Sequence, residues 1–529
     1  MDNQLYGLPT QQACESAPKI QEMQEIKEQN EHKECALRFR MLSVGCFFYA
    51  LFYTFCLYHN KSGITYPFFI GGTLYFFCFY LKKFGATAAR DRRFLMGSMI
   101  LLGIINCTTD SWVLISLNRL FITVLIGVWL LESFHESFAW RLGAWGKALM
   151  HLVFGSFTQI YKPVMDAYWS NKQREKKRER STEQEVRKER ILYGILGIGI
   201  SIPVLFFILL LLGSADALFN EMLCKAWDSL FSWSLPEFLT NGEWFQILWM
   251  IGWSFLLVYG LLTYIGKREY IEAAVRTKTI ECDAFIAIAF LSLITVVYCL
   301  FCGIQIFGLF LGWMTLPEGY TYAGYARQGF FQLLFICLFN ICLVLCCLGF
   351  FRKNKWLQAM LTLISGCTYI MVASSAYRMI LYISSYQLTF LRVFVLWALL
   401  MIALILGGVI LYIWNQEFGL FRYLLITVTI GYLTFAGIHP DYWIARYNIT
   451  QEMQGESMDS RYLVYDLSLD AAPAVYELTK VNDSPENRRR IDYILAEYDW
   501  KVDCETENMS IRSWNASRVY AEIVKNRSR

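Results

Sequence analysis

Charge is scarce in this chain. Only 17% of its 529 residues are Asp, Glu, Lys or Arg, against about 25% in soluble proteins. Most of the charges cluster in tails and short loops, with long apolar runs between them. This excludes a soluble enzyme and a disordered scaffold. Segments of roughly ten residues with alternating polarity are missing too, which excludes an outer-membrane barrel. There is no P-loop, no G-x-S-x-G, no H-E-x-x-H and no Rossmann glycine fingerprint. The first forty residues lack the basic and apolar halves of a signal peptide, so the first apolar run is expected to be the targeting anchor. The formal net charge of +4 is small and gives no reason to expect nucleic acid. Most of the sixteen cysteines lie inside apolar runs, among them Cys299, Cys302, Cys342, Cys346 and Cys347, where they read as small buried hydrophobes. Only Cys504 falls in the C-terminal tail, so no disulfide framework can form there.

What the chain has is apolar length: 56% hydrophobic residues, 17% aromatic ones and a mean hydropathy of +0.37. A span needs about 20 apolar residues. Eleven runs qualify: 41–59, 64–81, 94–109, 112–131, 191–213, 245–265, 284–312, 329–351, 356–383, 389–414 and 420–438. The expected fold is all-α, a polytopic transmembrane bundle of about 11 spans with a small C-terminal α-helical domain. Basic residues resist translocation and so mark cytoplasmic loops. They recur in 82–93 (Lys82, Lys83, Arg90, Arg92, Arg93), 132–190, 266–283 and 352–355. The alternate loops 214–244 and 313–328 are poor in them. The alternation predicts a cytoplasmic N-terminus and, with eleven spans, an extracytoplasmic C-terminal domain.

The organisation is therefore a polar tail (1–40), a four-span region (41–131), a cytoplasmic linker (132–190), a seven-span core (191–438) and a helical C-terminal domain (439–529). In the linker, Phe134, Phe138, Leu142, Trp145, Leu149 and Leu152 share one helical face. That face fits either the membrane surface or the cytoplasmic ends of the bundle. Segment 172–190 carries nine basic and five acidic residues. It reads as a positive-inside lock, with attraction to anionic lipid headgroups, about 1 kcal/mol per basic residue, as the functional alternative. In 214–244, Phe219, Leu223, Trp227 and Leu230 form a stripe expected to lie on the outer leaflet. HPDYWIARYNI (439–449) reads as a helix start, and further helices are expected around 461–480, 485–499 and 513–526.

Charges inside spans are costly and need a reason. Arg119, Arg378 and Arg392 fall in the outer half of their spans under this topology, with Asp110, Asp216 and Arg327 at the same edge. Together with Tyr325 they make a candidate binding set for an anionic headgroup or solute. Interhelical pairing and snorkelling are the structural alternative. Glu132-x-x-His135 occurs once, without a second copy, and Cys299-x-x-Cys302 lacks a partner pair. Neither supports a metal, and no pattern asks for a cofactor. Asn448, Asn508 and Asn515 stand in N-x-S/T triplets, read as chance matches.

Several stretches recur together in a recognisable order: GSADALF (213–219), KTIECDAFIAIAF through GYTYAGYARQGFFQLLFICLFN (278–340), YQLTFLR (386–392), HPDYWIARYNI (439–449) and YLVYDLSLDAAPAV (462–475). Across roughly 190–520 the chain resembles a bacterial integral-membrane family of unknown function common in Gram-positive anaerobes. The resemblance implies signature positions at Asp216, Tyr325, Arg327, Asn340, Thr389, Arg392, Pro440, Asp441, Arg446, Asn448, Asp470 and Pro473. It also implies glycine where Gln387 stands and asparagine where His439 stands. It brings no reaction with it. The expectation is a multi-pass protein of the bacterial cytoplasmic membrane, non-enzymatic, acting in envelope sensing or assembly. The rivals are a transporter or lipid flippase with an arginine-lined outer cavity, and a transferase on lipid-linked substrates. The bilayer is the one partner the sequence names.

Overall fold

The computed structural model describes residues 11–60, 62–85, 92–134, 142–176, 243–266, 282–310, 330–453, 460–480, 485–507 and 509–528, with positions 205, 219, 221 and 222. Among these residues there is no strand. The elements are α1 (Gln11–Leu57), α2 (Thr65–Lys83), α3 (Arg92–Thr108), α4 (Trp112–Phe134), α5 (Leu142–Phe157) and α6 (Lys162–Lys176). They continue with α7 (Glu243–Gly266), α8 (Ala284–Ile304), α9 (Phe330–Phe350), α10 (Lys355–Tyr386), α11 (Phe390–Trp414), α12 (Leu420–Gly437) and α13 (Pro440–Met453). Short helical turns fill Tyr462–Lys480 before α14 (Pro485–Thr506) and α15 (Ala516–Ser528).

Eight helices among the described residues are long and apolar enough to cross a membrane: Asn30–Leu57, Trp112–Ser133, Glu243–Gly266, Ala284–Phe307, Phe330–Phe350, Lys355–Ser384, Phe390–Trp414 and Leu420–Gly437. Each matches an expected run. The runs 64–81 and 94–109 also form helices, α2 and α3, but fall outside these eight. The 17 residues of α3 reach only about 25 Å at 1.5 Å per residue, short of a core of about 30 Å. The run 191–213 lies almost wholly outside the described residues, as does most of 214–244. The polar tail is helical from Gln11 and runs unbroken into the first span. Glu, Gln and Lys are good helix formers, so the change from polar to apolar at residue 41 leaves the backbone unchanged.

The chain divides into two compact units. The first comprises 1–58 and 151–268. Its centre is Asp166 on α6, completely buried. Arg38 of α1 grips it with two bonds, Nε to Oδ2 at 2.6 Å and Nη2 to Oδ1 at 2.5 Å. Tyr259 of α7 donates its hydroxyl to Oδ2 at 2.7 Å. Three helices are thus joined through one carboxylate. Gly155 lies under the Tyr264 ring, where an added Cβ would come within 2.2 Å, so the close approach of α5 to α7 needs glycine.

The second unit comprises 59–150 and 269–529. Helices α8 to α12 enclose two apolar layers, one around Cys337, Met371, Leu399 and Leu406 and the other around Leu291, Leu361, Ile364, Val409 and Ile413. At one end of these helices Gln358 Nε2 donates to Ile413 O at 2.6 Å. Cys282 N donates to Phe350 O at 2.8 Å, and Arg352 N to Cys282 O at 3.1 Å. Trp145 of α5 stacks on Phe421 at 4.1 Å and 9°. That contact favours the bundle-packed reading for the amphipathic linker over 142–150. At the opposite end the chain from Pro440 onward builds its own apolar cluster from Ile444, Leu463, Val475, Ile494, Tyr498 and Val502, against which Leu388, Phe390 and Val393 pack.

Candidate functional site

That second end concentrates buried polar chemistry. The turn between α3 and α4 brings up Thr109, Asp110 and Ser111. The α12–α13 junction supplies His439, Pro440 and Asp441, and the turns after α13 supply Ser468 and Asp470. Pro440 takes the first position of α13, where its missing N–H costs nothing. Asp441 follows in the first turn, the favourable end for an anion. Its carboxylate accepts from Ser468 Oγ at 2.6 Å and from Ser468 N at 3.2 Å.

Asp470 is the hub. Its carboxylate accepts from Thr109 Oγ1 at 2.5 Å, from Asp110 N at 2.9 Å and from the Ser517 hydroxyl. His439 Nδ1 lies 3.1 Å from its Oδ2. A carboxylate can only accept, so the imidazole donates from Nδ1. Asn515, at the start of α15, extends the joint: its Nδ2 donates to Thr109 O at 2.9 Å and Ser62 O at 3.2 Å, and its Oδ1 accepts from Ser517 N at 2.9 Å. Asn60 reaches Arg512 O at 2.9 Å, and Ile64 N donates to Trp514 O at 2.8 Å. An added Cβ on Gly63 would come within 2.3 Å of Arg512 O. Arg518 Nε pairs with Asp110 at 2.7 Å and its Nη2 with Glu505 at 2.8 Å. The C-terminal block is therefore bonded to both the α1–α2 and α3–α4 loops.

Burial shapes the ionisation here. It pushes the Asp110 carboxyl up to about 6, against the opposing pull of Arg518. Asp441 is raised by burial as well, with the Ser468 hydroxyl opposing. His439 is raised, chiefly by its bond to Asp470. Lys501, half-buried and donating to Val464 O and Leu467 O at 2.7 and 2.5 Å, is lowered by desolvation.

A second constellation holds the α10–α11 loop. Asn448 clamps Leu388 from both sides, Oδ1 accepting its N–H and Nδ2 donating to its carbonyl, each at 2.9 Å. Tyr462 accepts from Phe390 N at 2.9 Å. Arg392 Nη1 donates to Tyr386 O at 2.7 Å and also to Gln387 O, and its guanidinium covers the Tyr382 ring at 4.3 Å. Gln387 has φ 69 and ψ 176, and His439 has φ 53. These are the two positions at which the family resemblance implies glycine and asparagine, residues suited to left-handed backbone. Both positions have positive φ although neither holds the residue that the resemblance implies.

The other expected residues scatter. Arg119 donates to Asn60 O at 3.5 Å and lies 5.6 Å from the Tyr66 ring. Arg378 is buried, its Nη2 3.3 Å from Gln305 Oε1, to which Ser374 also donates at 2.6 Å. Arg446 donates to the Tyr442 hydroxyl at 2.9 Å. Asn340 accepts from Tyr298 at 2.7 Å and donates to Thr368 at 3.0 Å. Arg119, Arg378 and Arg392 thus each have a separate set of partners. Asp216, Tyr325, Arg327 and His135 lie outside the described residues. Among the described residues no group of three His, Cys, Asp or Glu could hold a metal ion. Cys302 donates to Cys367 O at 3.6 Å while Cys299 is exposed. Sequence reasoning missed Asn60, Thr109, Ser517 and Arg518. Asn515 was noticed only as part of a triplet.

A family model described as Domain of unknown function (DUF4153) matches residues 96–478. No curated protein and no solved structure matches the chain.

Proposed function

The chain belongs to the DUF4153 family, whose description names no reaction, and we propose that this protein is a non-enzymatic, multi-pass component of the bacterial cytoplasmic membrane acting in envelope sensing or assembly. The observation that carries the reading is the buried joint around Asp470. It bonds the C-terminal block to two inter-helix loops, so a force or ligand acting on the block is felt by α2, α3 and α4. The eleven-span topology, with the N-terminus inside and the block outside, is part of the proposal. The basic loop 352–355 gathers at the end of the second unit opposite the joint, which supports this sidedness. The basic segment 172–190 would then face anionic lipid headgroups on the cytoplasmic side.

Cys504 is exposed on α14 and provides the test. Intact cells are labelled with a membrane-impermeant maleimide, with Cys504→Ser as control. Labelling that vanishes in the control is the expected result. Labelling of Cys504 only after permeabilisation would put the block in the cytoplasm and overturn the envelope-facing reading.

A further inference from the structure

We propose that the cleft at His439 binds the phosphate of an anionic amphiphile, taken up by proton donors on its walls. The proposal deepens the reading above for the same site and rests on it for the membrane setting. The cleft has a volume of about 430 Å³, and its lining includes Ile438, His439, Tyr442, Leu469, Pro473 and Tyr520.

Three features select the ligand. The first is that the acidic group of the cleft is already engaged: the Asp470 side chain is 2% exposed and accepts from Thr109, Asp110, Ser517 and His439. It has little acceptor capacity left for a cation or a sugar hydroxyl. The second is that the groups remaining are donors. His439 spends Nδ1 on Asp470 and keeps Nε2, on a side chain 30% exposed. Tyr442 accepts from Arg446 at 2.9 Å, which leaves its own hydroxyl proton to give and places a guanidinium behind it. Tyr520 is exposed and its hydroxyl is the third donor. A phosphate oxygen needs donors, and the Tyr442 hydroxyl is one with a fixed positive charge behind it. The third is an apolar wall. Ile438 is exposed at the foot of α12, a helix fit to cross the membrane, and Leu469 and Pro473 continue it. A head group held by the donors would lay its chains along that helix.

The bond to Asp470 raises His439, so the imidazolium persists further toward neutrality than in an isolated histidine. The charged and titratable groups around it include Asp470 and Asp441, with Asp110 and Arg518 behind them, and Tyr442, backed by Arg446, and Tyr520 on the cleft walls.

The test uses the purified full chain in a neutral detergent, followed by thermal unfolding during titration with three probes. These are short-chain phosphatidylglycerol, short-chain phosphatidylcholine and inorganic phosphate. Phosphatidylglycerol should protect saturably and phosphatidylcholine should not. His439→Gln and Tyr520→Phe should each weaken the protection midpoint about tenfold, the scale of one lost charge-assisted or directed hydrogen bond. Tyr520 is exposed, so its variant keeps the test decisive if His439→Gln fails to fold. Protection by inorganic phosphate at the same midpoint would keep the phosphate site but overturn the amphiphile. Equal protection by phosphatidylcholine, or variants with unchanged midpoints, would overturn the proposal. Sidedness plays no part in detergent, so failure here is separable from failure of the Cys504 labelling.

Discussion

Each unit is organised around one buried carboxylate, and the two carboxylates are partnered differently. Asp166 collects two bonds from a guanidinium and one from a phenol. Asp470 collects two hydroxyls, a backbone N–H and an imidazole. An arginine keeps its charge at any ordinary pH, so the first joint is a fixed pin. A histidine changes charge in the physiological range, so the second joint can be tuned. The type of donor, more than the degree of burial, decides which of the two a buried carboxylate becomes.

The largest expected effect breaks the pin. Asp166→Ala leaves the half-buried Arg38 guanidinium without its carboxylate and should cost about 3 kcal/mol, read as a lower denaturation midpoint or as lost folded yield in detergent. Asp470→Asn should cost less, about 1–3 kcal/mol, because its donors are mostly neutral and only some lose an acceptor. The same unfolding experiment ranks the two.

Acidity separates the joints without mutation. His439 is raised in the folded state, so its contribution is complete below its unfolded value and lost as pH rises through the raised one. Asp110, at about 6, and Asp441 are carboxyls raised by burial. They hold protons that the unfolded chain has already released, so their contribution also belongs to the acid side and fades as pH climbs. The second joint should therefore loosen as pH rises from about 4 through about 6, where Asp110 gives up its proton, and again above the ordinary histidine range as His439 gives up its own. Protection of the Asp110 and Ser468 amides from hydrogen exchange, relative to the unfolded chain at each pH, should fall over that range, and His439→Gln should flatten its upper part. Amides of α6 around Asp166 should show no matching trend.

The smallest effects concern the backbone. Gln387 occupies a region of φ and ψ that is nearly glycine's alone. Gln387→Gly should stabilise the second unit by about 1 kcal/mol through relief of that strain. His439→Asn should relieve less, since φ 53 is already the ordinary left-handed region. It would also shorten the reach to Asp470, so melting of the single and double variants separates strain from bonding.

These positions show what could be read before any coordinates. Apolar runs carry their own signal, and among the described residues eight of them are helices fit to cross a membrane. HPDYWIARYNI announced α13 through Pro440 and Asp441, and the family resemblance pointed to Asp470 and Pro473. Other parts of the site left no pattern in the sequence. Arg38 and Asp166 are 128 residues apart, and no periodicity links them. Asn515 and Asn448 look alike as triplets, yet Asn448 offers both donor and acceptor to the distant Leu388 backbone, and Asn515 donates to the distant Thr109 and Ser62 carbonyls. Gln387 was conspicuous as a missing glycine, while the reason, its positive φ, belongs to the fold. The arginines were conspicuous too, but hydropathy registers a charge in a span and not its partner. Arg119 and Arg378 turned out to meet Asn60 and Gln305.

The length of α1 has a mechanical meaning. Its 47 residues make a rod of about 70 Å at 1.5 Å per residue. The apolar part, Asn30–Leu57, accounts for 28 of them. The rest is an arm of about 28 Å, and Arg38, a short way into the apolar part, serves as the fulcrum where the rod is fastened to Asp166. A displacement of the rod is therefore passed through that pair to α6.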